Sequence, residues 1–343
     1  MHSSILTTLL LSSLPMALST QSTLFQSPRP NANNKTLTGN PIFPGWYADP
    51  EARIFSHTYW IYPTYSATYE TQTFFDAFSS PDLLTWTKHP HILNLTEIPW
   101  STNRAAWAPS VTQSTDGDYF MYFSAGDGAG IGVAKSVSGR PEGPFEDVLG
   151  KPLVPGPTVL GAQPIDAQIF RDEADADADE DEDEEGEGRV WLYFGGWSHA
   201  VVVELEQDMV TLKGDYLEIT PKDYVEGSWV LKRKGVYYFM YSVGGWGDNS
   251  YGVSYVTGPS PTGPFSSTPT KILQGNDKVG TSTGHNSVFT PDGKNYYIVY
   301  HRRYVNDTAR DHRVTCIDRM EFDEQGNIKP VKITTEGVKG RPL

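Results

Sequence analysis

The 343-residue chain has one cysteine, Cys316, so no intrachain disulfide can form and its stability must come from a packed core. Basic residues are scarce. The 27 Lys and Arg are outnumbered by 42 Asp and Glu, and this balance argues against a nucleic-acid-binding surface. After the N-terminus, no apolar run is long enough to span a membrane, and no stretch of useful length has helical periodicity. These absences favour an all-β protein that binds neither nucleic acid nor membrane.

The first twenty residues have the features of a secretory signal peptide. Leu9, Leu10 and Leu11 lie in an apolar stretch, and Ala17-Leu18-Ser19 offers a small-residue cleavage site. Residues 21–39 are rich in Ser, Pro and Asn, which predicts a disordered leader. Three glycosylation triplets fit export as well, and they begin at Asn34, Asn94 and Asn306. The sequence therefore predicts a secreted, extracellular protein.

Much of the net charge of −15 comes from one tract. Residues 172–188 contain twelve acidic residues, and without them the net charge would be −3. The tract falls between two predicted strands, where a hairpin loop belongs, and like charges at this density repel one another. We expect a disordered, solvated loop insertion, with cation binding as the alternative.

Five short segments recur along the chain at a nearly constant spacing. Three of them have an acidic residue at the repeated position, Asp49, Asp166 and Glu226, and the other two have Ala108 and His285. The intervals between these positions are 59, 58, 60 and 59 residues. Such a period is typical of an array of similar structural units. Equivalent positions in a radial array converge on one axis, so the three carboxylates and His285 are predicted to meet.

Shortly after each segment comes a run of aromatic and β-branched residues, which fit a pleated sheet. These runs are residues 59–65, 119–123, 190–194, 236–241 and 296–300. Turn residues such as Asp116-Gly117 introduce several of them, so each unit is expected to open as a β-hairpin. Five four-stranded antiparallel units around a central channel make a five-bladed β-propeller. A β-sandwich does not explain the even period, and a β-helix has a much shorter repeat.

The acidic residues also have ordinary structural interpretations. Asp49 precedes Pro50, as turn aspartates often do, and most glutamates, Glu226 included, are expected at the surface. Asp166 has no evident structural need among its apolar neighbours. The repeat favours a functional interpretation, because carboxylates that converge and are buried raise one another's pKa. A carboxyl with a raised pKa can act as a general acid near neutral pH, as glycoside hydrolysis requires.

Other residue types suited to sugar binding accompany the repeat. Five tryptophans are candidates for stacking on a sugar ring, although at least two are expected to pack between blades instead: Trp46, Trp107, Trp197, Trp229 and Trp246. His285 is expected to face the channel and hold water or a cation. One arginine of the pair Arg302 and Arg303 is expected to reach substrate or a carboxylate, with Arg303 as the candidate, and the other to lie at the surface.

At these positions the sequence resembles glycoside hydrolase family 43, whose members are five-bladed propellers. The resemblance extends from Asn40 to the C-terminus. It rests on several short motifs: Asn40-Pro41-Ile42, Ala48-Asp49-Pro50, Ser80-Pro81-Asp82-Leu83-Leu84-Thr85-Trp86, Trp107-Ala108-Pro109, Gly143-Pro144-Phe145 and Gly263-Pro264-Phe265. It implies one catalytic domain over residues 40–343, with the acidic tract as a loop insertion.

The resemblance also implies roles. Asp49 would be the general base, Glu226 the general acid, and Asp166 the residue that raises the pKa of the acid and orients it. Hydrolysis would invert the anomeric carbon. His285 would lie near a channel calcium or sodium ion, often through water, and no other cofactor is implied.

Within that family, the opening Trp46-Tyr47-Ala48-Asp49-Pro50 favours an exo-acting α-L-arabinofuranosidase on arabinan or arabinoxylan side chains. The alternatives are a β-xylosidase, an endo-arabinanase or an exo-galactanase. A non-catalytic carbohydrate-binding propeller would need no acid–base set, and a protein-interaction propeller would show a shorter repeat. The expected partner is a plant cell-wall polysaccharide or oligosaccharide, bound by a monomer.

Overall fold

The computed structural model of the chain describes residues 36–173 and 188–343. The predicted signal peptide, the predicted leader up to residue 35, and residues 174–187 of the acidic tract lie outside the described residues. Within the described ranges, no helix combines the length and apolar character needed to cross a membrane.

The described strands form five antiparallel sheets arranged as a five-bladed β-propeller, which confirms the predicted fold. The first two sheets contain β1 (Tyr47–Phe55), β2 (Thr58–Tyr65), β3 (Phe74–Ser80) and β4 (Thr87–Asn94), then β5 (Trp107–Gln113), β6 (Tyr119–Ala125), β7 (Gly130–Ser136), β8 (Phe145–Asp147) and a short β9 (Val154–Pro155) paired with β7. Three single-turn 3₁₀ helices accompany these two sheets: Tyr69–Thr71, Leu95–Glu97 and Pro99–Ser101.

The remaining three sheets follow in chain order. They contain β10 (Gln168–Arg171), β11 (Val190–Phe194), β12 (Val201–Leu205) and β13 (Leu212–Glu218); β14 (Glu226–Arg233), β15 (Val236–Val243), β16 (Gly252–Gly258) and β17 (Thr270–Gln274); and β18 (Thr281–Phe289), β19 (Tyr296–Arg303) and β20 (Val314–Met320). Each sheet opens with the predicted hairpin, and its first strand packs against the first strands of the neighbouring sheets.

The fifth sheet has three strands instead of the expected four, and β20 is its outer strand. The start of the propeller covers the free edge of β20. The N–H of Ile42 donates to Thr315 O, and the Asn40 side chain bonds both the N–H and the C=O of Ile317. The folded part also begins before Asn40, since the N–H of Thr38 donates to Val338 O.

In the described part of the chain, the buried apolar side chains form five clusters, each built from two adjacent blades. Strand β2 shows how the sequence produces this arrangement. Tyr59 and Ile61 pack towards the fifth blade, whereas Trp60 and Tyr62 pack towards the second. Successive side chains of a strand point to opposite faces, so an inner strand buried on both sides is apolar throughout. The ring of clusters fixes the blades around the axis.

Candidate active site

Five residues near the start of the axial strands share a left-handed backbone conformation. They are Asp49, Ala108, Asp166, Gly227 and His285, with φ between 42° and 68°. In β1, β5, β14 and β18 this residue lies within a register irregularity against the second strand of the sheet. Such a bulge redirects a side chain, and non-glycine residues seldom adopt this conformation. Because this unusual conformation recurs in every blade, we infer a functional site at one end of the channel.

Side chains of the preceding blades hold these five positions in place. The backbone N–H of each residue donates to one side-chain atom, at 2.8 to 3.1 Å: Asp49 to His301 Nδ1, Ala108 to Thr64 Oγ1, Asp166 to Ser124 Oγ, Gly227 to Asp166 Oδ2, and His285 to Ser242 Oγ. Each bond spans two neighbouring blades. The strand starts are therefore fixed relative to one another around the axis.

The structure corrects the predicted phase of Glu226. The residue equivalent to Asp49 and Asp166 is Gly227, and Glu226 lies one position earlier, paired with Ser242. Glu226 thus corresponds to Trp107, which pairs with Ser124 in the second blade. The N–H of Gly227 donates to a carboxylate oxygen of Asp166.

Asp49 is buried among cationic and imidazole groups. Its Oδ1 lies 3.1 Å from Nη1 of Arg313, 3.5 Å from Nδ1 of His285 and 3.2 Å from Nδ1 of His301. Burial by itself favours the neutral acid. The Arg313 guanidinium, followed by His285 and His301, outweighs burial and holds the pKa of Asp49 well below its usual range. Asp49 is therefore ionised at neutral pH.

The other two carboxyl groups are shifted the opposite way. Burial, then the charges of Glu226 and Asp49, raise the pKa of Asp166 well above its usual range. Burial also raises the pKa of Glu226, although a hydrogen bond from Tyr251 acts against the rise. Asp166 is buried, whereas Glu226 keeps partial exposure. The site thus combines an ionised carboxylate with two carboxyls that retain a proton more readily.

His285 lies between two of the carboxylates. Its Nδ1 is 3.5 Å from Asp49 Oδ1 and 3.5 Å from Asp166 Oδ2, and burial lowers its pKa. Among the residues that the structure describes, no group of three or more His, Cys, Asp or Glu side chains is arranged to hold a metal ion. The donor set does not fit directly coordinated metal, so an ion held near His285 through water stays a prediction.

The arginine at the site is not the predicted one. Arg303 is buried and donates to Ser282 Oγ in β18 and to Gly247 O, rather than to one of the three carboxylates. Arg302 is also buried, not at the surface, and donates to Thr334 O and Asn40 O. Arg313, just before β20, makes the ion pair with Asp49. No motif in the sequence marked Arg313, His301 or Tyr251.

Three of the five candidate sugar-stacking tryptophans flank the same end of the channel, and they differ in exposure and contacts. Trp197 is 58% exposed, and the adjacent Ser198 donates to Val225 O beside Glu226. Trp246 lies under the guanidinium of Arg313 at 5.0 Å. Trp46, three residues before Asp49, stacks on His312 at 4.2 Å.

Two tryptophans remain. Trp107 is fixed by a hydrogen bond from its Nε1 to Gln72 Oε1. Trp229 is buried between the fourth and fifth blades, as at least two of the five tryptophans were expected to be.

A large cavity among the described residues lies elsewhere in the fold. It has a volume of about 1890 Å³ and is lined by the far ends of the axial strands, including Phe55, Arg171 and Arg233. None of the three carboxylates lines it. Size alone therefore does not locate the site, whereas converging titratable groups with shifted pKa values do.

Comparison with known proteins identifies the family of the chain. Residues 38–328 match the model of glycosyl hydrolases family 43. The chain is 73% identical over 318 residues to a protein named β-D-galactofuranosidase xynD from Aspergillus niger, covering 90% of this chain and 89% of that protein. A β-xylosidase from Xylanibacter ruminicola is 26% identical over 85% of this chain and 98% of its own length.

Solved structures show the same likeness. An α-L-arabinofuranosidase from Clostridium thermocellum superposes with a TM-score of 0.66 at 29% identity, covering 85% of this chain and 95% of that one. An arabinoxylan arabinofuranohydrolase from Bacillus subtilis, solved with cellotetraose, gives a TM-score of 0.70 at 26% identity, covering 89% and 71%. The chain belongs to glycosyl hydrolases family 43 and is a glycoside hydrolase.

Proposed function

We propose that the protein is a furanosidase that releases β-D-galactofuranosyl residues from the non-reducing ends of polysaccharides or oligosaccharides. The proposal rests on the three carboxyl groups of Asp49, Asp166 and Glu226, which converge at one end of the channel. It also rests on the 73% identity of the chain to a β-D-galactofuranosidase. Enzymes of this family act on polysaccharide and oligosaccharide substrates. The exposed Trp197 offers a stacking surface and the partly exposed Glu226 a proton donor, and the bond from Ser198 N–H to Val225 O joins the two segments.

α-L-Arabinofuranoside, the substrate that the sequence favoured, is the second candidate. β-D-Galactofuranose and α-L-arabinofuranose share the configuration of their ring carbons and differ by one exocyclic hydroxymethyl group. A pocket that fits one ring should therefore also fit the other. A difference of one carbon between two substrates changes their relative transition-state binding free energy by only about 1–3 kcal/mol. The likeness to an α-L-arabinofuranosidase at 29% identity supports this candidate.

In the proposed reaction, ionised Asp49 accepts a proton from water as that water attacks the anomeric carbon. Glu226 gives its proton to the glycosidic oxygen, which leaves with the remainder of the substrate. Asp166 positions the backbone next to Glu226, because its Oδ2 accepts the N–H of Gly227. In its ionised form Asp166 would also raise the pKa of Glu226. The single displacement inverts the anomeric configuration.

A substrate panel tests the assignment. Hydrolysis of 4-nitrophenyl β-D-galactofuranoside, α-L-arabinofuranoside and β-D-xyloside is compared as kcat/KM on the secreted, full-length protein. The expected order places the galactofuranoside first and the xyloside last. A preference for the xyloside would overturn the furanosidase proposal, and binding of sugars without any turnover would indicate a non-catalytic propeller. The export signal in residues 1–20 is tested alongside, by N-terminal sequencing of the secreted product.

A further inference from the structure

Tyr251 lies between the two sides of the proposed reaction. Its hydroxyl donates to Oε1 of Glu226 at 2.7 Å. Its ring stacks on the imidazole of His301, with centroids 5.7 Å apart and planes 13° from parallel. His301 in turn accepts the N–H of Asp49 at 3.1 Å. An unbroken set of contacts through two buried rings therefore joins Glu226 to Asp49.

The chain makes room for this stack with a glycine. A Cβ atom at Gly284 would lie 2.0 Å from Cε1 of Tyr251. Gly284 has no left-handed conformation that would itself require glycine. The absent side chain is thus explained by the tyrosine ring, one residue before His285.

The direction of the hydrogen bond has a chemical consequence. Burial, followed by the charges of Glu226 and Asp49, raises the pKa of Tyr251 well above its usual range, so its hydroxyl stays protonated and donates. A neutral carboxyl accepts a hydrogen bond best at its carbonyl oxygen and keeps its proton on the other oxygen. With Oε1 engaged by Tyr251, Oε2 is the oxygen expected to carry the proton of Glu226.

We propose that Tyr251 is a positioning residue that fixes Oε2 of Glu226 as the atom that donates the proton, and that its stack on His301 holds this acid in place relative to Asp49. The inference rests on the proposed general-acid role of Glu226. As the proton passes from Oε2 to the leaving oxygen, Glu226 becomes a carboxylate and the Tyr251 bond becomes charge-assisted and stronger. The contact therefore favours the transition state over the bound ground state.

The same contact sets part of the pH dependence. The titratable and charged groups around Glu226 are Asp49, Asp166, Tyr224, Tyr251 and Arg313. Among them, the Tyr251 hydroxyl stabilises the ionised form of Glu226. Its removal should raise the pKa of Glu226 and shift the alkaline limb of the pH–rate profile to higher pH.

The test is Tyr251→Phe, which keeps the stacked ring and removes only the hydroxyl. For an alkyl furanoside, whose leaving group needs protonation, kcat should fall about tenfold, the worth of one hydrogen bond to a charged group. For a dinitrophenyl furanoside the loss should stay below about threefold, because this group leaves with little protonation. KM should change little, and the alkaline limb should move up.

Tyr241→Phe is the matched control, because Tyr241 is fully buried in the same blade and its hydroxyl donates to Lys222 O. It should leave the pH profile and the leaving-group dependence unchanged. Gly284→Ala should reproduce and exceed the Tyr251→Phe loss by displacing the ring. Equal losses for both leaving groups with an unmoved alkaline limb would reduce Tyr251 to a structural residue and overturn the inference.

A titration without substrate separates this inference from the proposed function. The pKa of the Glu226 carboxyl is followed by ¹³C NMR in the full-length protein and in Tyr251→Phe. A rise in the variant supports the contact whatever the substrate is. An unchanged pKa would overturn the inference even if the enzyme hydrolyses furanosides.

Discussion

Nη1 of Arg313 lies 3.1 Å from Oδ1 of Asp49, although 264 positions separate the two residues in the sequence. Asp49 belongs to the first blade, and Arg313 directly precedes the last strand of the fifth. The pair therefore forms only when the propeller closes. The same ion pair keeps Asp49 ionised despite its burial, so the charge of the proposed base depends on closure of the ring.

Removal of Arg313 should shift the acidic limb of the pH–rate profile. Burial raises the pKa of Asp49 and the Arg313 guanidinium lowers it, so the pKa should rise when the guanidinium is removed. A base works only when ionised, so activity should be lost at a higher pH than in the wild type. For Arg313→Ala we expect the acidic limb of kcat/KM to move up by about one to three pH units.

Arg310→Ala is the control for this experiment. Arg310 also stacks on Trp246, at 4.1 Å, yet no ion pair joins it to Asp49 among the described contacts. Its loss should leave the acidic limb in place. If both variants shift the limb equally, the effect comes from Trp246 and not from the charge beside Asp49.

Alanine variants of Asp49 and Glu226 should lose activity with different dependence on the leaving group. Asp49→Ala removes the base, so activity should fall by about 10²–10⁴ for every substrate. Glu226→Ala removes the proton donor, so the loss should be severe for a disaccharide and mild for a dinitrophenyl glycoside. The rates of both variants on both substrates measure this difference. Equal losses on the two substrates for Glu226→Ala would contradict its role as the acid.

The stereochemistry gives an independent check on Asp49. An NMR time course should show the product formed with inverted configuration. Azide should not rescue Asp49→Ala to a product of retained configuration, because a water-activating base forms no covalent glycosyl intermediate. Such a rescue would identify Asp49 as a nucleophile.

Asp166→Asn tests how the proton is shared between Asp166 and Glu226. If Asp166 is ionised when Glu226 gives up its proton, loss of that charge lowers the pKa of Glu226. The alkaline limb should then move to lower pH, while Gly227 keeps an acceptor at position 166. The pH dependence of kcat is the measurement. An unmoved limb would show that Asp166 itself holds the proton throughout, so that the amide merely replaces a neutral acid.

The sequence predicted the propeller because its signals are periodic and local. Both the repeat and the strand-forming runs such as Val190–Phe194 reflect the alternation that packs each inner strand between two blades. The same periodicity located Asp49, Asp166 and His285 correctly at the left-handed positions near the start of the axial strands. It placed Glu226 in the wrong phase, because a bulge shifts side-chain direction by one residue without a mark in the sequence.

Arg313, His301 and Tyr251 were missed for a different reason. Each reaches the site from a second or third strand or from a loop, through contacts with residues far away in the chain: Arg313 and His301 with Asp49, and Tyr251 with Glu226. The number of residues between such partners follows from ring closure and not from the repeat. A period therefore reveals what lies on the axial strands but not what reaches across from neighbouring strands.

Ring closure also makes a prediction about stability. The Asn40 side chain accepts the N–H of Ile317 at 2.8 Å and donates to Ile317 O at 2.9 Å. It also donates to Thr334 O and lies 3.3 Å from Oδ2 of Asp318. One buried amide thus satisfies the free edge of β20 and ties it to the C-terminal segment. Replacement by alanine would leave these buried backbone groups without partners.

Asn40→Ala should therefore lower the free energy of unfolding by about 2–4 kcal/mol, since each buried polar group left without a partner costs about 1–3 kcal/mol. Urea unfolding followed by tryptophan fluorescence gives the value. Asn327→Ala is the control, because Asn327 bonds Asp323 in an exposed turn and its loss should cost less than about 1 kcal/mol. A cost for Asn40→Ala no larger than the control's would mean that water replaces the amide at this edge. The propeller would then be closed by its inter-blade hydrophobic clusters alone.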